Sequence, residues 1–272
     1  MRRTPFRLLF GAVLLSGAAM AAPAWAQAAD DDKDAYINPD RPGIADGSNV
    51  VGKGRFEIET GIQAEFRQGG QPSTSIFVPT LLRYGVSEAW ELRIEGNTYS
   101  HVATDNGGLG RDIEDGFAPV SVGVKYHLLE SKGSQPSVGV IARVFPPSGS
   151  GSFRNDRTTG DVRLAADWDF APHFSLNPNI GVAVQEDDSN RTFTAGLFAM
   201  TLNYNPSKVF NLFVDTGIQT PEQKNGKTSV ILDGGVAYII GHNLQLDLSA
   251  GVGAAGVTPP HPFISSGISA RF

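Results

Sequence analysis

Charged side chains recur at every second position in several stretches of the chain, and these residues could carry chemistry. In 57–65 and again in 91–95 they alternate with apolar residues. Carboxylate and guanidinium groups gathered on one face can bind ions, pair with each other or line a polar pore. The candidates on this polar face are Glu57, Glu59, Glu65, Arg83, Glu91, Arg93, Glu95, Lys125, Arg143, Asp161, Arg163, Asp167, Asp215, Asp233, Asp247 and Arg271.

The same alternation predicts the elements that position these residues. Successive side chains of a β-strand point to opposite faces, so period-two runs indicate strands with one apolar and one polar side. Such runs recur about twelve times from residue 54 onward, and the last ends on Phe272. Short turns such as 205–207 alternate with longer polar loops such as 100–115. We predict an all-β fold, a transmembrane antiparallel up-and-down β-barrel of about twelve strands, to within two strands.

Aromatic residues on the apolar face crowd the end of the strands that carries the short turns. Aromatic side chains favour a membrane–water interface, where one side is apolar and the other is wet. The predicted girdle at this end, on the periplasmic side, comprises Phe56, Tyr84, Trp90, Tyr126, Trp168, Phe170, Phe174, Tyr204, Phe210, Tyr238 and Phe272. A soluble β-sandwich also has alternating strands, but it explains neither the girdle nor the asymmetric loops.

The beginning of the chain has the features of a cleaved signal peptide. Arginines precede a short apolar run, and residues 24–26 form a small-x-small cleavage site. We therefore expect a signal peptide at 1–26. A periplasmic amino-terminal extension or plug segment should follow at 27–53, because this stretch is acidic, rich in turn residues and without periodicity. The barrel should occupy 54–272.

Composition excludes several classes of function. Without the three arginines of the signal peptide, 19 of the 22 basic residues remain against 28 acidic ones, a net charge of −9 that disfavours nucleic acid as a partner. The chain has no cysteine, and its five histidines include no i, i+4 pair that would indicate a metal site. Since a Gly-x-Ser-x-Gly motif is also lacking, we expect no enzymatic activity, no cofactor and no metal.

Two interpretations of the polar face remain open. Its charges either line a channel or binding lumen, or they form cross-strand pairs that fill and stiffen a narrow barrel. Glycines on the same face either leave space for a ligand or for the amino-terminal segment, or relieve crowding where the strands coil. These glycines are Gly61, Gly123, Gly139, Gly181, Gly217, Gly235, Gly251 and Gly267. Pro79 and Pro178 indicate bulges, a side opening or edge irregularities.

Four short segments carry a resemblance to a known family. They are Asp40-Arg-Pro-Gly43, Gly54-Arg-Phe-Glu-Ile-Glu-Thr-Gly61, Tyr84-Gly-Val-Ser-Glu-Ala-Trp-Glu-Leu-Arg93 and Val122-Gly-Val-Lys-Tyr126. They resemble the phenol meta-pathway degradation family of outer-membrane transporters. Pro146-Pro-Ser-Gly149 matches the Leu-Pro-Thr-Gly turn of that family only in part. The resemblance implies an outer-membrane barrel for passive uptake of small apolar or aromatic compounds, and it brings no catalytic residue.

These expectations define the partners and the location. The protein should lie in the outer membrane of a Gram-negative bacterium, in contact with lipid and with small apolar or aromatic solutes. The aromatic Phe272 resembles the usual terminus of such barrels, which implies recognition by the barrel-assembly machinery. The alternative function is a non-conducting structural or adhesive barrel with a filled lumen.

Overall fold

A computed structural model describes residues 35–68, 71–187, 189–256 and 261–272. The predicted signal peptide lies outside the described residues. Among the residues that are described, no helix is long and apolar enough to cross a membrane.

The described residues form thirteen strands joined in one antiparallel sheet. The strands are β1 (Phe56–Arg67), β2 (Ser73–Gly85), β3 (Trp90–Asp105), β4 (Arg111–Gly116), β5 (Ser121–Leu129), β6 (Ser137–Phe145), β7 (Thr159–Ala171), β8 (Phe174–Glu186), β9 (Thr192–Ser207), β10 (Phe210–Thr220), β11 (Ser229–Ile240), β12 (Leu244–Ala255) and β13 (His261–Arg271). Two short 3-10 helices, Gly107–Leu109 and Gly151–Phe153, lie in the longer loops.

The sheet closes on itself because β1 pairs with β13. The register places Glu57 opposite Arg271 and Glu65 opposite Phe263. All strands except β4 take part in this closure, so the predicted antiparallel barrel of about twelve strands is confirmed. Closure removes the two open edges that a flat sheet would expose, so that every wall strand has a paired neighbour on both sides.

The two faces of the wall differ as the alternation predicts. On β7, Leu164 is 48% exposed on the outside, whereas the neighbouring Arg163 is 4% exposed and points into the lumen. The aromatic residues predicted as a girdle lie on the outer face at the end of the barrel with the short turns, where several of them pack against each other. The ring centroids of Trp90 and Tyr126 are 4.5 Å apart, for example.

One predicted loop is wrong. The stretch 100–115 was expected to be a polar connection, but β3 continues to Asp105 and pairs with β4, from Ser100 opposite Gly116 to Asp105 opposite Arg111. This hairpin extension is polar on both faces, so it lacks the apolar side that identifies the wall strands. Its pairing is satisfied locally, because the two strands are joined by a short turn.

Both prolines interrupt the ladder of backbone pairs. The register between β2 and β3 shifts at Val78 and Pro79, which is the bulge that the sequence left open as one explanation. Beside Pro178, the pairing of β7 with β8 skips from Asn179 opposite Ala165 to Leu176 opposite Trp168. Proline has no backbone N–H to donate, so a break at these points is expected.

Arginine on the outer face should destabilise the barrel according to its depth. We expect Leu164→Arg, midway along β7, to lower the free energy of unfolding by about 2–4 kcal/mol, because the charge would lie in the hydrocarbon layer. Ile240→Arg, at the end of β11 next to a turn, should cost about 0–1 kcal/mol. Urea unfolding in lipid vesicles measures the free energy of unfolding of both variants. Equal losses would mean that the positions of Leu164 and Ile240 relative to the hydrocarbon layer are misassigned.

Candidate functional site

The lumen is occupied by the stretch of chain that precedes β1. We call residues 35–53 the inner segment. It enters at the end with the short turns, where Ile37 donates its N–H to the carbonyl of His242 (2.7 Å). It reaches about half the height of the barrel near Ile44, and it returns to the same end before β1. Ile37 and Ala45 are fully buried. The inner segment contains no strand or helix.

Side chains of the wall bind the backbone amides of the inner segment. Glu59 accepts hydrogen bonds from the N–H groups of Asp40 (3.0 Å) and Arg41 (2.7 Å). Asp215 accepts from the N–H of Ile44 (2.7 Å) and Glu91 from that of Val51 (3.0 Å). A buried N–H without a partner is costly. These carboxylates therefore replace the backbone partners that the inner segment lacks.

The carboxylate of Asp40 lies at the centre of the largest charge cluster. The ammonium of Lys125 contacts both of its oxygens, at 2.9 and 2.8 Å, and Arg93 donates to one of them. Arg83 lies 3.8 Å from Asp40 and also pairs with Glu57 (3.0 Å). All five side chains are at most 2% exposed. Charges buried to this degree are stable only when they are paired and hydrogen-bonded.

Two further contacts hold the tip and the returning part of the inner segment. The carboxylate of Asp46 lies 3.2 Å from Arg93 and 3.5 Å from Arg163. On the return, the N–H of Ser48 donates to Asp167 (2.9 Å), and its hydroxyl lies 2.8 Å from that of Ser137. These contacts anchor the inner segment on β3, β6 and β7.

Several glycines of the polar face lie directly beneath the inner segment. A Cβ atom at Gly139 would lie 2.6 Å from the carbonyl oxygen of Ser48, and one at Gly267 would lie 2.3 Å from the guanidinium of Arg41. A Cβ at Gly217 would meet Ile44 at 2.9 Å. At these positions the glycines make room for the amino-terminal segment, which is one of the two explanations that the sequence left open.

Other glycines of the set fit the second explanation. A Cβ at Gly123 would meet Ala142 and Arg143, and one at Gly235 would meet Leu248 and Ser249. These contacts are with the neighbouring strand rather than with the inner segment. Here the absence of a side chain relieves crowding within the wall.

The structure places the predicted polar-face residues inside the barrel, and all of them are buried except Asp233, which is partly exposed. They do not form one site. Those nearer the short-turn end hold the inner segment, whereas Arg143 pairs with Asp161 (3.1 Å) and Glu95 (2.7 Å). Glu65 lies farther along the lumen, where it accepts a hydrogen bond from Gln63 (2.9 Å).

Sequence reasoning missed the residues that the inner segment contributes. Asp40, Arg41, Asp46 and Ser48 are each at most 8% exposed and complete the charge and hydrogen-bond network. The stretch 27–53 was expected to be an extension or a plug, but no residue in it was singled out for the lumen. The available signal was that the glycines of the polar face left space for some occupant.

A small cavity lies beside the tip of the inner segment. A cavity beside Ile44, lined by Asn179, Leu197 and Gly217, has a volume of about 10 Å³. That is room for about one water molecule. Among the described residues, no group of three or more His, Asp or Glu side chains is arranged to bind a metal ion.

Solved structures with a similar fold are outer-membrane proteins. An outer membrane channel from Pseudomonas putida F1 is 12% identical, with a TM-score of 0.63 over 85% of this chain and 99% of the channel. The NanC porin is 12% identical, with a TM-score of 0.51 over 79% and 98% of the two chains. The translocator domain of the autotransporter NalP from Neisseria meningitidis is 11% identical, with a TM-score of 0.53 over 82% and 90%. The fold is therefore that of an outer-membrane β-barrel.

The family follows from the sequence. Residues 39–272 match the profile of the family described as "Putative MetA-pathway of phenol degradation". The chain belongs to this family, and the resemblance carried by its short segments is confirmed. The match begins at residue 39, so it includes most of the inner segment. None of the curated protein sequences matches this chain.

Removal of a buried cation should destabilise the barrel far more than removal of an exposed one. Arg83→Gln leaves Glu57, Glu59 and Glu91 without a shared partner, and breaking such a buried network costs about 3–5 kcal/mol. The matched control is Arg154→Gln, whose ion pair with Asp156 is more than half exposed on both sides and should contribute little. Urea unfolding compares the stabilities of the two variants. Similar losses in the free energy of unfolding would show that the charges in the lumen are well hydrated.

A side chain added at a glycine that contacts the inner segment should displace the segment. We expect Gly139→Ala to raise the rate at which a water-soluble maleimide labels Ser48→Cys, by about tenfold or more, because overpacking costs about 1–3 kcal/mol. The chain has no native cysteine to interfere. Gly196→Ala is the control, since its Cβ would make only ordinary contacts with Thr220. Unchanged labelling in Gly139→Ala would show that the inner segment does not press on this wall.

Proposed function

We propose that this protein is an outer-membrane channel for passive uptake of small apolar or aromatic compounds, and that the inner segment closes it. One observation carries the proposal: the barrel encloses a piece of its own chain that belongs to no strand and is bound mainly through side chains. The wall pairing does not depend on this piece. The inner segment can therefore leave the lumen while the barrel stays closed on itself, and the space it vacates is a polar pore.

The comparisons support the class of solute and the mode of transport. The family is described in terms of phenol degradation, which favours an aromatic solute. A channel and a porin have the same fold, although a translocator domain shares it too. The likeness in fold is therefore compatible with several activities, and the choice between them rests on the lumen.

A second candidate function is a structural barrel that conducts nothing. The observation that favours it is the firm attachment of the inner segment, whose buried residues are hydrogen-bonded to the wall. The two functions differ in one respect that can be measured, which is whether the inner segment moves. A conducting barrel requires that the inner segment be displaced, whereas a structural barrel requires that the inner segment stay in the lumen.

The location and assembly of the barrel are part of the same proposal. Residues 1–26 act as a cleaved signal peptide, and the barrel lies in the outer membrane of a Gram-negative bacterium. The end with the short turns and the aromatic girdle faces the periplasm, so the inner segment enters from that side. Phe272, on the outer face at this end, is the residue that the barrel-assembly machinery recognises. Passive uptake of this kind involves no catalytic step.

A reversible bond between the inner segment and the wall tests the channel. The hydroxyls of Ser48 and Ser137 are 2.8 Å apart, a separation that favours a disulfide in the variant Ser48→Cys/Ser137→Cys. We expect the oxidised variant to lose the conductance of the wild-type protein in planar bilayers, since the inner segment can no longer leave. A reductant should restore the conductance.

The single variant Ser48→Cys is the control and should conduct equally under both conditions. Equal conductance of the oxidised and reduced double variant would contradict the role of the inner segment as the closing element. Absence of conductance in the wild-type protein and in the reduced variant would favour the structural barrel.

A further inference from the structure

The contacts of Asp40 have the geometry of a carboxylate-binding site. Both of its oxygens bond to the ammonium of Lys125, at 2.9 and 2.8 Å, and one also accepts from Arg93. The N–H of Gly47, also in the inner segment, approaches the first oxygen at 3.4 Å. Arg83 completes the surroundings at 3.8 Å. The three cations come from β2, β3 and β5, so the wall supplies all the positive charge of this site and Asp40 occupies it from outside the wall.

Within the wall, Lys125 is the one cation of this site that has no bonded carboxylate among the described residues. Glu57, Glu59 and Glu91 bond to Arg83, at 3.0, 3.1 and 2.9 Å. Among the described residues, Lys125 bonds to no carboxylate other than that of Asp40. An ammonium that is 0% exposed is costly without a counter-charge. When the inner segment moves, Lys125 therefore requires another anion or water in place of Asp40.

The surroundings of the site select among anions. Guanidinium groups bind carboxylates and phosphates in the same forked geometry. Here, however, three wall glutamates share the space with the three cations, so a doubly charged phosphate would meet strong repulsion. A single negative charge is what Asp40 supplies, and a monocarboxylate supplies the same charge with the same planar shape.

We propose that the Arg83, Arg93 and Lys125 site binds the carboxylate of a small monocarboxylic acid in place of Asp40. The inference rests on the proposed function, because it requires that the inner segment can leave. It narrows the solute to carboxylates, such as aromatic acids, whose anionic group would take the position of Asp40. Asp40 is thus an internal competitor, and binding of the solute favours the open channel.

Chemical rescue tests the site without any transport. Asp40→Ala removes the carboxylate and frees its position beside Lys125 for the carboxylate of acetate. We expect sodium acetate to raise the melting temperature of this variant in detergent by about 2–4 °C relative to sodium chloride of equal ionic strength. Acetamide should have no such effect, because it is neutral. The wild-type protein, whose site is filled, should respond much less.

The variant Asp40→Ala/Lys125→Met shows whether the response comes from this site. Its melting temperature should no longer depend on acetate. The proposal is overturned if acetate and chloride act alike on Asp40→Ala, or if the double variant responds as strongly as the single one.

A second measurement covers the case in which Asp40→Ala does not fold. In the otherwise unchanged chain carrying Ser48→Cys, sodium benzoate should raise the rate of maleimide labelling, because it competes with Asp40 and releases the inner segment. Benzamide, of the same size but without charge, should not. Equal labelling rates with the two compounds would overturn the proposal.

The outcomes separate this inference from the channel itself. A barrel that is rescued by acetate but never conducts would overturn the proposed function and keep the carboxylate site. A barrel that conducts but shows neither rescue nor benzoate-dependent labelling would keep the channel and overturn the carboxylate site.

Discussion

Charges inside a closed barrel must find partners within the chain, because burial removes most of the water that would otherwise hydrate them. Lys125, Arg93 and Arg83 come from three different strands, and Asp40 brings their charges together. Three cations surround the carboxylate of Asp40. In return, Asp40 gives Lys125 a counter-charge that the barrel wall does not supply. The barrel and the inner segment therefore stabilise each other through this one group.

The same alternating pattern meets opposite requirements on the two faces of the wall. Outside, apolar side chains such as Leu164 are exposed, which is what a wall that crosses a membrane requires. Inside, polar side chains can accept hydrogen bonds from a backbone without regular structure. Irregular backbone at membrane depth is tolerated only where protein or water surrounds it. Glu59 and Asp215 meet this condition for the inner segment by accepting its N–H groups.

The contacts between the inner segment and the wall are mostly polar, and this determines what replaces them when the barrel opens. An apolar seal would lose its burial on opening, and nothing in the water would replace it. Hydrogen bonds and ion pairs can be exchanged for water or for a solute with matching groups. The small apolar contact of Ile44 and Ala45 with Ala199 is one exception, at the tip. Most of the contacts that hold the inner segment are therefore polar, and they can be exchanged for contacts with water or with a solute.

The sequence by itself determined the wall of the barrel. Alternation is a local property, so the outward position of Leu164 and the inward position of Arg163 follow from their neighbours in the chain. The aromatic residues at one end and the number of wall strands follow from the same pattern. Alternation does not identify β4, because a hairpin that is polar on both sides carries no period-two signal.

Only the tertiary structure decided what the inward residues do. Arg41 bonds to Asp247, which lies 206 positions away, and Asp46 bonds to Asn179, 133 positions away. No local pattern encodes such pairs, since the closure of β1 on β13 first brings the two ends of the chain together. The sequence left the charges as either a channel lining or cross-strand pairs. Folding gave many of them a third role, as the binding site for a segment whose irregular backbone has no periodicity to reveal its place.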